Sequence, residues 1–355
     1  MNYAVIDLGS NTIRLSVYKA ENGVFETIIS QKEVVGLASY TKKRFLEEDG
    51  INKACDILKN YKEIALSFVD EKNIHLFATA SLRGIHNQQE ALEMIHLACG
   101  LYPMVLSGEE EARLDFVGAS HVVECQDGIL IDIGGASTEI VRFQDSQPTE
   151  LISIPIGCLS LFSKFVGEII PNENERKKIK KEIRSKFGEY INWNTKEKLP
   201  LMVGVGGTVR AAHKLSCDLF LLPRENKELK TEYIKEILDK LNYNENEIFH
   251  TVYKRIPERT LTIFPGLMIL HEAIKLFNCK SFVVSDYGVR EGYLIDHVLK
   301  EPPPVVLTSS DIKEKQFSAV PEETLPDVNT PDLLEKEPDN PLQKEDVVCG
   351  DEETH

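Results

Sequence analysis

One pattern occurs twice in this 355-residue chain. Ala4-Val5-Ile6-Asp7-Leu8-Gly9-Ser10-Asn11-Thr12 and Ile129-Leu130-Ile131-Asp132-Ile133-Gly134-Gly135-Ala136-Ser137-Thr138 share one plan. An apolar strand closes on Asp-x-Gly, a small polar turn follows, and a second strand leaves it. The two Asp stand 125 positions apart, which is one domain's length and not a solenoid period. Two similar domains facing each other across a cleft satisfy this most economically. The length agrees, since single cores stop growing near ~250–300 residues. The pattern restarts at Gly128, so the expected domains are 1–122 and 123–300.

The formal net charge of −16 is unevenly spread. Residues 301–355 hold 15 acidic and 4 basic residues, 8 of the 16 prolines and one aromatic residue. A segment of that kind buries too little apolar surface to offset its ordering entropy, and we expect a disordered acidic tail. No run approaches the ~18 apolar residues of a membrane helix, so no membrane partner is expected. The first residues carry Asp7 where a signal peptide would be apolar. Seven scattered cysteines without C-x-x-C suit reduced thiols, so the expected location is the cytoplasm.

Along the body, strands are expected at Tyr3–Leu8, Thr12–Tyr18, Val24–Ser30, Ile74–Ala78, Ile129–Ile133, Thr138–Phe143, Glu150–Ile154, Leu201–Val205 and Ser281–Val284. Asn22-Gly23 marks a hairpin. Helical spacing covers Ile51–Val69, Gln88–Cys99, Glu173–Ile191, Thr208–Leu215, Leu261–Phe277 and Arg290–Leu299. Strands alternating with helices give an α/β protein.

In both Asp-x-Gly loops, Gly9, Gly134 and Gly135 let the backbone approach a ligand, and successive N–H groups can face phosphate oxygens. Ser10, Asn11, Thr12, Ser137 and Thr138 add side-chain donors. Asp7 and Asp132 are placed to hold Mg²⁺, which favours few carboxylates plus water and phosphate. A plain hairpin turn accounts for either motif alone but poorly for the pair. Gly206-Gly207-Thr208 opens a helix after a buried strand, which suits phosphate or a tight junction. The GxGxxG and Walker spacings are missing. Ser107 and Glu110 form a capping box that accounts for Glu109 and Glu110; Glu111 is either a helix-end carboxylate or a general base, and the residues alone favour the former. Arg83 and Arg290 follow strand ends and suit phosphate or structural ion pairs equally.

Seven motifs now stand in order: DLGSNTIRL (Asp7–Leu15), ATASLR (Ala78–Arg83), SGEEEARL (Ser107–Leu114), DIGGASTE (Asp132–Glu139), PIGCLSL (Pro155–Leu161), GVGGT (Gly204–Thr208) and SDYGVREG (Ser285–Gly292). The set resembles the exopolyphosphatase/guanosine pentaphosphate phosphatase (Ppx/GppA) family over essentially all of residues 1–300. The resemblance implies the actin-like ATPase fold, two ribonuclease-H-like domains around a cleft. It makes Glu111 the base that activates water, reversing the balance above, and assigns Asp132 to catalysis or Mg²⁺. It lines the site with Ser137 and Glu139 and puts Asn11, Arg83, Cys158 and Arg290 against the polyphosphate chain. The loop departs from the family at Ala136, where a third glycine is usual; a positive φ there would strain it by roughly 1–2 kcal/mol. No His-Asp dipeptide signals the extra helical domain of longer members, so this is similar to a short form. The implied function is Mg²⁺-dependent release of terminal phosphate from polyphosphate, with guanosine pentaphosphate as the rival substrate. An ATP-dependent kinase and an inactive alarmone sensor are weaker alternatives. No nucleic-acid polymer is an expected partner, and a homodimer is left open.

Overall fold

The computed structural model describes residues 1–21, 23–195, 199, 201–279 and 281–299. The expected acidic tail, 301–355, lies outside the described residues. The first half runs β1 (Asn2–Leu8), β2 (Thr12–Glu21), β3 (Val24–Val34), a two-residue ladder β4 (Thr41–Lys42) and β5 (Phe45–Leu46), α1 (Glu48–Leu66), β6 (Ile74–Ala78), α2 (Gln88–Cys99), β7 (Met104–Val105) and α3 (Gly108–Ser120). The second runs β8 (Gly128–Ile133), β9 (Thr138–Gln144), β10 (Gln147–Ile154), α4 (Cys158–Phe165), α5 (Glu173–Tyr190), β11 (Leu201–Val205), α6 (Gly206–Phe220), β12 (Glu228–Lys230), α7 (Glu232–Lys240), α8 (Glu245–Arg255), α9 (Ile263–Phe277), β13 (Ser281–Val284) and α10 (Val289–Tyr293). A further turn, Leu294–Leu299, continues α10.

The first sheet has the order β3-β2-β1-β6-β7 and the second β10-β9-β8-β11-β13-β12. In each, three antiparallel strands open the sheet and two parallel strands extend it from the first strand, β1 or β8. Only β12, antiparallel at the edge, is extra. The sequence repeat is therefore a topological repeat, and the chain has the actin-like ATPase fold. Asp7 and Asp132 stand near the ends of equivalent strands.

Each sheet has its own core. Ile6, Leu8, Ile13 and Leu15 pack against Leu58, Tyr61 and Ile95 in the first half. Ile129, Ile131 and Ile140 pack against Leu215, Phe264 and Leu267 in the second. Helix α3 lies between the sheets. Its Ala112, Phe116 and Ala119 cluster with Leu130, Val141 and Val203 of the second sheet. Its Leu114 clusters with Val5 and Phe77 of the first sheet and with Tyr293 and Leu294. The C-terminal helix thus packs on the first sheet, and Arg113 pins it by two 2.8 Å hydrogen bonds to Asp296. Among the described residues no helix is long and apolar enough to cross a membrane.

Three expectations are revised in detail. Only half of the expected capping box forms: the Glu110 N–H donates to Ser107 Oγ at 3.1 Å, while the Glu110 carboxylate lies 3.4 Å from His297 Nε2. Helix α6 begins two residues early, at Gly206, because the glycine pair itself makes the first turn. Ala136 is not among the residues with positive φ, so its side chain costs the loop nothing.

Helix α3 meets the segment around α10 backbone to backbone. A Cβ at Gly118 would stand 2.2 Å from the Gly288 carbonyl oxygen, and one at Gly292 would stand 1.9 Å from that of Leu114. Both partners are main chain and cannot rotate away. Gly118→Ala should therefore force the helices apart and cost about 1–3 kcal/mol, the usual range for overpacking. Urea unfolding checks this; a midpoint equal to the parent's would refute the backbone contact.

Candidate active site

The two repeat loops meet. A Cβ at Gly135 would lie 3.0 Å from Asn11 Cβ and 3.2 Å from its backbone nitrogen, so only glycine lets the loops close this far. The second loop is braced from behind by α4. Cys158 N–H donates to the Gly134 carbonyl at 2.9 Å, and the Leu159 and Ser160 amides donate to Gly135 at 2.9 Å. Gly157 allows this, since a Cβ there would stand 2.4 Å from the Gly135 backbone.

A cavity of about 110 Å³ opens where the loops meet. Asp7, Gly9, Ser10, Asn11, Thr12, Glu111, Asp132, Gly134, Gly135, Ser137, Gly206, Gly207 and Arg290 all line it. Thus most of the residues singled out in the sequence converge. Five others do not reach the lining. Thr138 and Thr208 spend their hydroxyls on the Ile156 and Ile133 carbonyls, at 2.6 and 2.7 Å. Cys158 is fully buried behind the wall, where burial raises its thiol pKa and keeps it protonated. Its place is structural, not against a substrate chain. Arg83 and Glu139 stand just outside, bound to lining residues.

Arg83 organises the Glu111 side of the cavity. Its Nη1 donates to Glu111 Oε2 at 2.6 Å and to the Leu106 carbonyl at 3.3 Å. Its Nη2 donates to Ser153 Oγ at 3.1 Å, Glu139 Oε1 at 3.4 Å and Ser137 Oγ at 3.5 Å. Ser153 in turn donates to Glu139 at 2.7 Å. One guanidinium from the first half therefore ties α3 to β9 and β10. Burial, and then the neighbouring Glu139 charge, push the Glu111 pKa well up, while Arg83 pulls it back. Glu139 is raised to about 7 by burial and then Asp132. Asp7 is raised to about 6 by burial, against the pull of Arg290 and Arg14. Asp132 is also raised by burial, with Arg210, Arg14 and Arg259 opposing.

Sequence inspection missed the cationic wall. Arg14, Arg210 and Arg259 line the cavity with Arg290. Arg259 and Arg14 lie over Gly207: a Cβ there would stand 1.9 Å from one guanidinium and 3.1 Å from the other. Burial, and then Arg290 and Arg210, lower the Arg14 pKa to about 10, as expected for cations crowded without an anion. A signal existed: Thr12-Ile-Arg14 and Thr208-Val-Arg210 repeat Thr-x-Arg after each glycine loop. Arg259 had none. Asp7 and Asp132, both half-buried at the cavity, are the carboxylates that could hold Mg²⁺. They are too few for an all-protein cage, and among the described residues no group of three or more ligands is poised for a metal. A Mg²⁺ ion there would have to complete its shell with water and phosphate.

The raised carboxyls set a pH dependence. Unfolded Asp and Glu titrate near 4, whereas folded Asp7 and Glu139 titrate near 6 and 7. The folded state holds these protons longer, so their contribution is full below about pH 4 and is lost as pH rises through 6 and 7. Metal-free protein should therefore melt at lower temperature at pH 8 than at pH 5. Calorimetry across that range checks it; a melting point that climbs with pH would contradict the burial of these groups.

A sequence model of the Ppx/GppA phosphatase family matches residues 16–301. Among solved structures, a Ppx/GppA family member from Aquifex aeolicus is 27% identical, with 84% of this chain and 98% of that chain covered and a TM-score of 0.69. An exopolyphosphatase from Cytophaga hutchinsonii is 21% identical, with 86% and 100% covered and a TM-score of 0.73. An exopolyphosphatase-like protein is 22% identical, with 84% and 98% covered and a TM-score of 0.74. The last two bear on the fold alone.

Proposed function

Because the chain belongs to the Ppx/GppA phosphatase family and is a phosphoric anhydride hydrolase, we propose that it releases terminal phosphate from inorganic polyphosphate. One observation carries this. Glu111, held by Arg83, faces a cavity whose other walls carry Arg14, Arg210, Arg259 and Arg290. A chain of phosphates is the substrate that needs many guanidiniums and no specificity pocket for a base. Guanosine pentaphosphate is the alternative; among the described lining residues only Ala80, Ile133 and Val289 have apolar side chains beyond glycine, and none is aromatic.

In this mechanism, backbone N–H groups of the two loops and the arginines hold the terminal phosphoryl; the Gly9 and Gly134 amides close the loops instead, donating to the Thr12 and Ser137 carbonyls. Glu111 accepts a proton from the attacking water. Arg83 keeps Glu111 in place and opposes the upward push of burial and of Glu139 on its pKa, which favours the ionised form a base needs. Mg²⁺ held by Asp7 and Asp132 would neutralise charge on the phosphate oxygens. The leaving phosphate chain departs along the arginine wall. Buried, unpaired thiols among the described cysteines fit a cytoplasmic enzyme.

Glu111→Gln should lower turnover about 10²–10⁴-fold, the scale of a general base, with substrate affinity held or improved. The cap uses Ser107 and the Glu110 amide, so the fold should survive. The assay is phosphate release from short and long polyphosphate, guanosine pentaphosphate and ATP, with and without Mg²⁺. If folded Glu111→Gln keeps more than about half the parental rate, Glu111 is not the base. Faster release from guanosine pentaphosphate than from polyphosphate would select the alternative substrate.

A further inference from the structure

Strand β2 carries a polar row of which the mechanism above uses only Arg14. Its odd-numbered residues Ile13, Leu15 and Val17 enter the first core. Side chains alternate across a strand, so Arg14, Ser16 and Tyr18 share the opposite face. Arg14 reaches the cavity. Ser16, buried, accepts a 2.6 Å hydrogen bond from Arg290 Nη1. Tyr18, also buried, donates its hydroxyl proton to Glu291 Oε1 at 2.6 Å. Glu291 Oε2 accepts from the Gly288 amide at 3.0 Å, at the start of α10.

The Arg290 guanidinium has few other ties. Its Nη2 stands 3.8 Å from Glu291, too far for a hydrogen bond. A flexible cation in a polyanion site loses rotamer freedom when it binds, and each lost rotamer weakens binding. The side chain that fixes it beforehand removes that penalty. We propose that Ser16 and Tyr18 are positioning residues of this hydrolase: Ser16 aims the Arg290 guanidinium into the cavity, and Tyr18 locks Glu291 and the α10 start beside it. Neither touches the phosphate. The first sheet thereby delivers two arginines to the substrate from one strand face, Arg14 directly and Arg290 through Ser16. The inference rests on the proposed phosphate-chain substrate and concerns how that chain is held.

Both hydroxyls can be removed with little change of shape. Ser16→Ala removes one oxygen. Tyr18→Phe keeps the ring packed edge-on against Phe25, 5.7 Å between centroids. Tripolyphosphate binding is measured by calorimetry in metal-free buffer, and KM and kcat on short polyphosphate with Mg²⁺. Ser16→Ala should weaken binding and raise KM about 10–150-fold, the range for losing a hydrogen bond to a charged group, with kcat within about twofold of the parent. Tyr18→Phe should move both in the same direction and serves alone if Ser16→Ala does not fold. In an Arg290→Lys background Ser16→Ala should add less than about twofold, because the two act as one unit. Parental tripolyphosphate affinity in either folded single variant, or effects that multiply in the double variant, would overturn the assignment. A parent that binds tripolyphosphate but hydrolyses only the nucleotide overturns the polyphosphate reading and leaves the binding comparison to decide this one. A parent that does not bind tripolyphosphate overturns both.

Discussion

Two buried carboxylates share one guanidinium, and the architecture of the site follows from that. Glu111 comes from α3 and Glu139 from β9, and each is almost wholly removed from water. A lone carboxylate so placed would simply take a proton. Arg83 opposes this by hydrogen bonding to Glu111 and, more loosely, to Glu139. To do so it must leave the end of β6 and cross to the second sheet. The cleft is thus closed at this point by an ion pair and not by apolar packing. The Glu111 carboxyl is tuned by a competition between burial and a cation whose position depends on both halves.

The same helix that carries Glu111 also fills the junction. Apolar residues on two faces of α3 engage the two sheets separately, so Glu111 is not on a loop that could drift. Its direction is fixed by whole-sheet packing, and its height along the helix by the Ser107 cap. The glycines at 118 and 292 then bring the C-terminal helix within backbone distance. Arg290 and Glu111 arrive in one cavity because two helices are allowed to touch main chain to main chain. Gly206 makes the analogous contribution on the other wall: its φ is 77°, and a Cβ there would stand 2.0 Å from an Asp132 carboxylate oxygen. A side chain at that position would displace the very group the loop presents.

Much of this was legible because it is local. The Asp-x-Gly repeat encodes two strand ends and two turns, and topology followed from it. The role of α3 as a two-sided wedge was not legible: its apolar residues Ala112, Leu114, Phe116 and Ala119 do not fall on one stripe, and only long-range contacts explain them. Cys158 misled for the same reason. The family resemblance put it against the phosphate chain, whereas its amide braces Gly134 and its side chain is wholly buried. Arg259 ends a short 3₁₀ turn, Pro257–Arg259, with no local motif. It is brought over Gly207 by the packing of the second core. Local chemistry writes itself into neighbouring letters, and convergence across a hundred residues does not.

The cavity's charges make a final point about what completes it. Glu111 has Arg83, and Arg290 has Ser16 and Glu291. Arg14, Arg210 and Arg259 remain on one side, and Asp7 and Asp132 on the other, each group perturbed by the opposite set. Among the described residues no ion pair at contact distance joins Asp132 to these arginines, though direct pairing would relieve both. Glycine spacing and strand geometry hold the two sets in one cavity without letting them collapse onto each other. Such an arrangement stores unfavourable burial on both sides. An anion on the arginines together with a cation on the aspartates relieves both costs at once. On the proposed reading, a phosphate chain carrying a divalent cation would supply both.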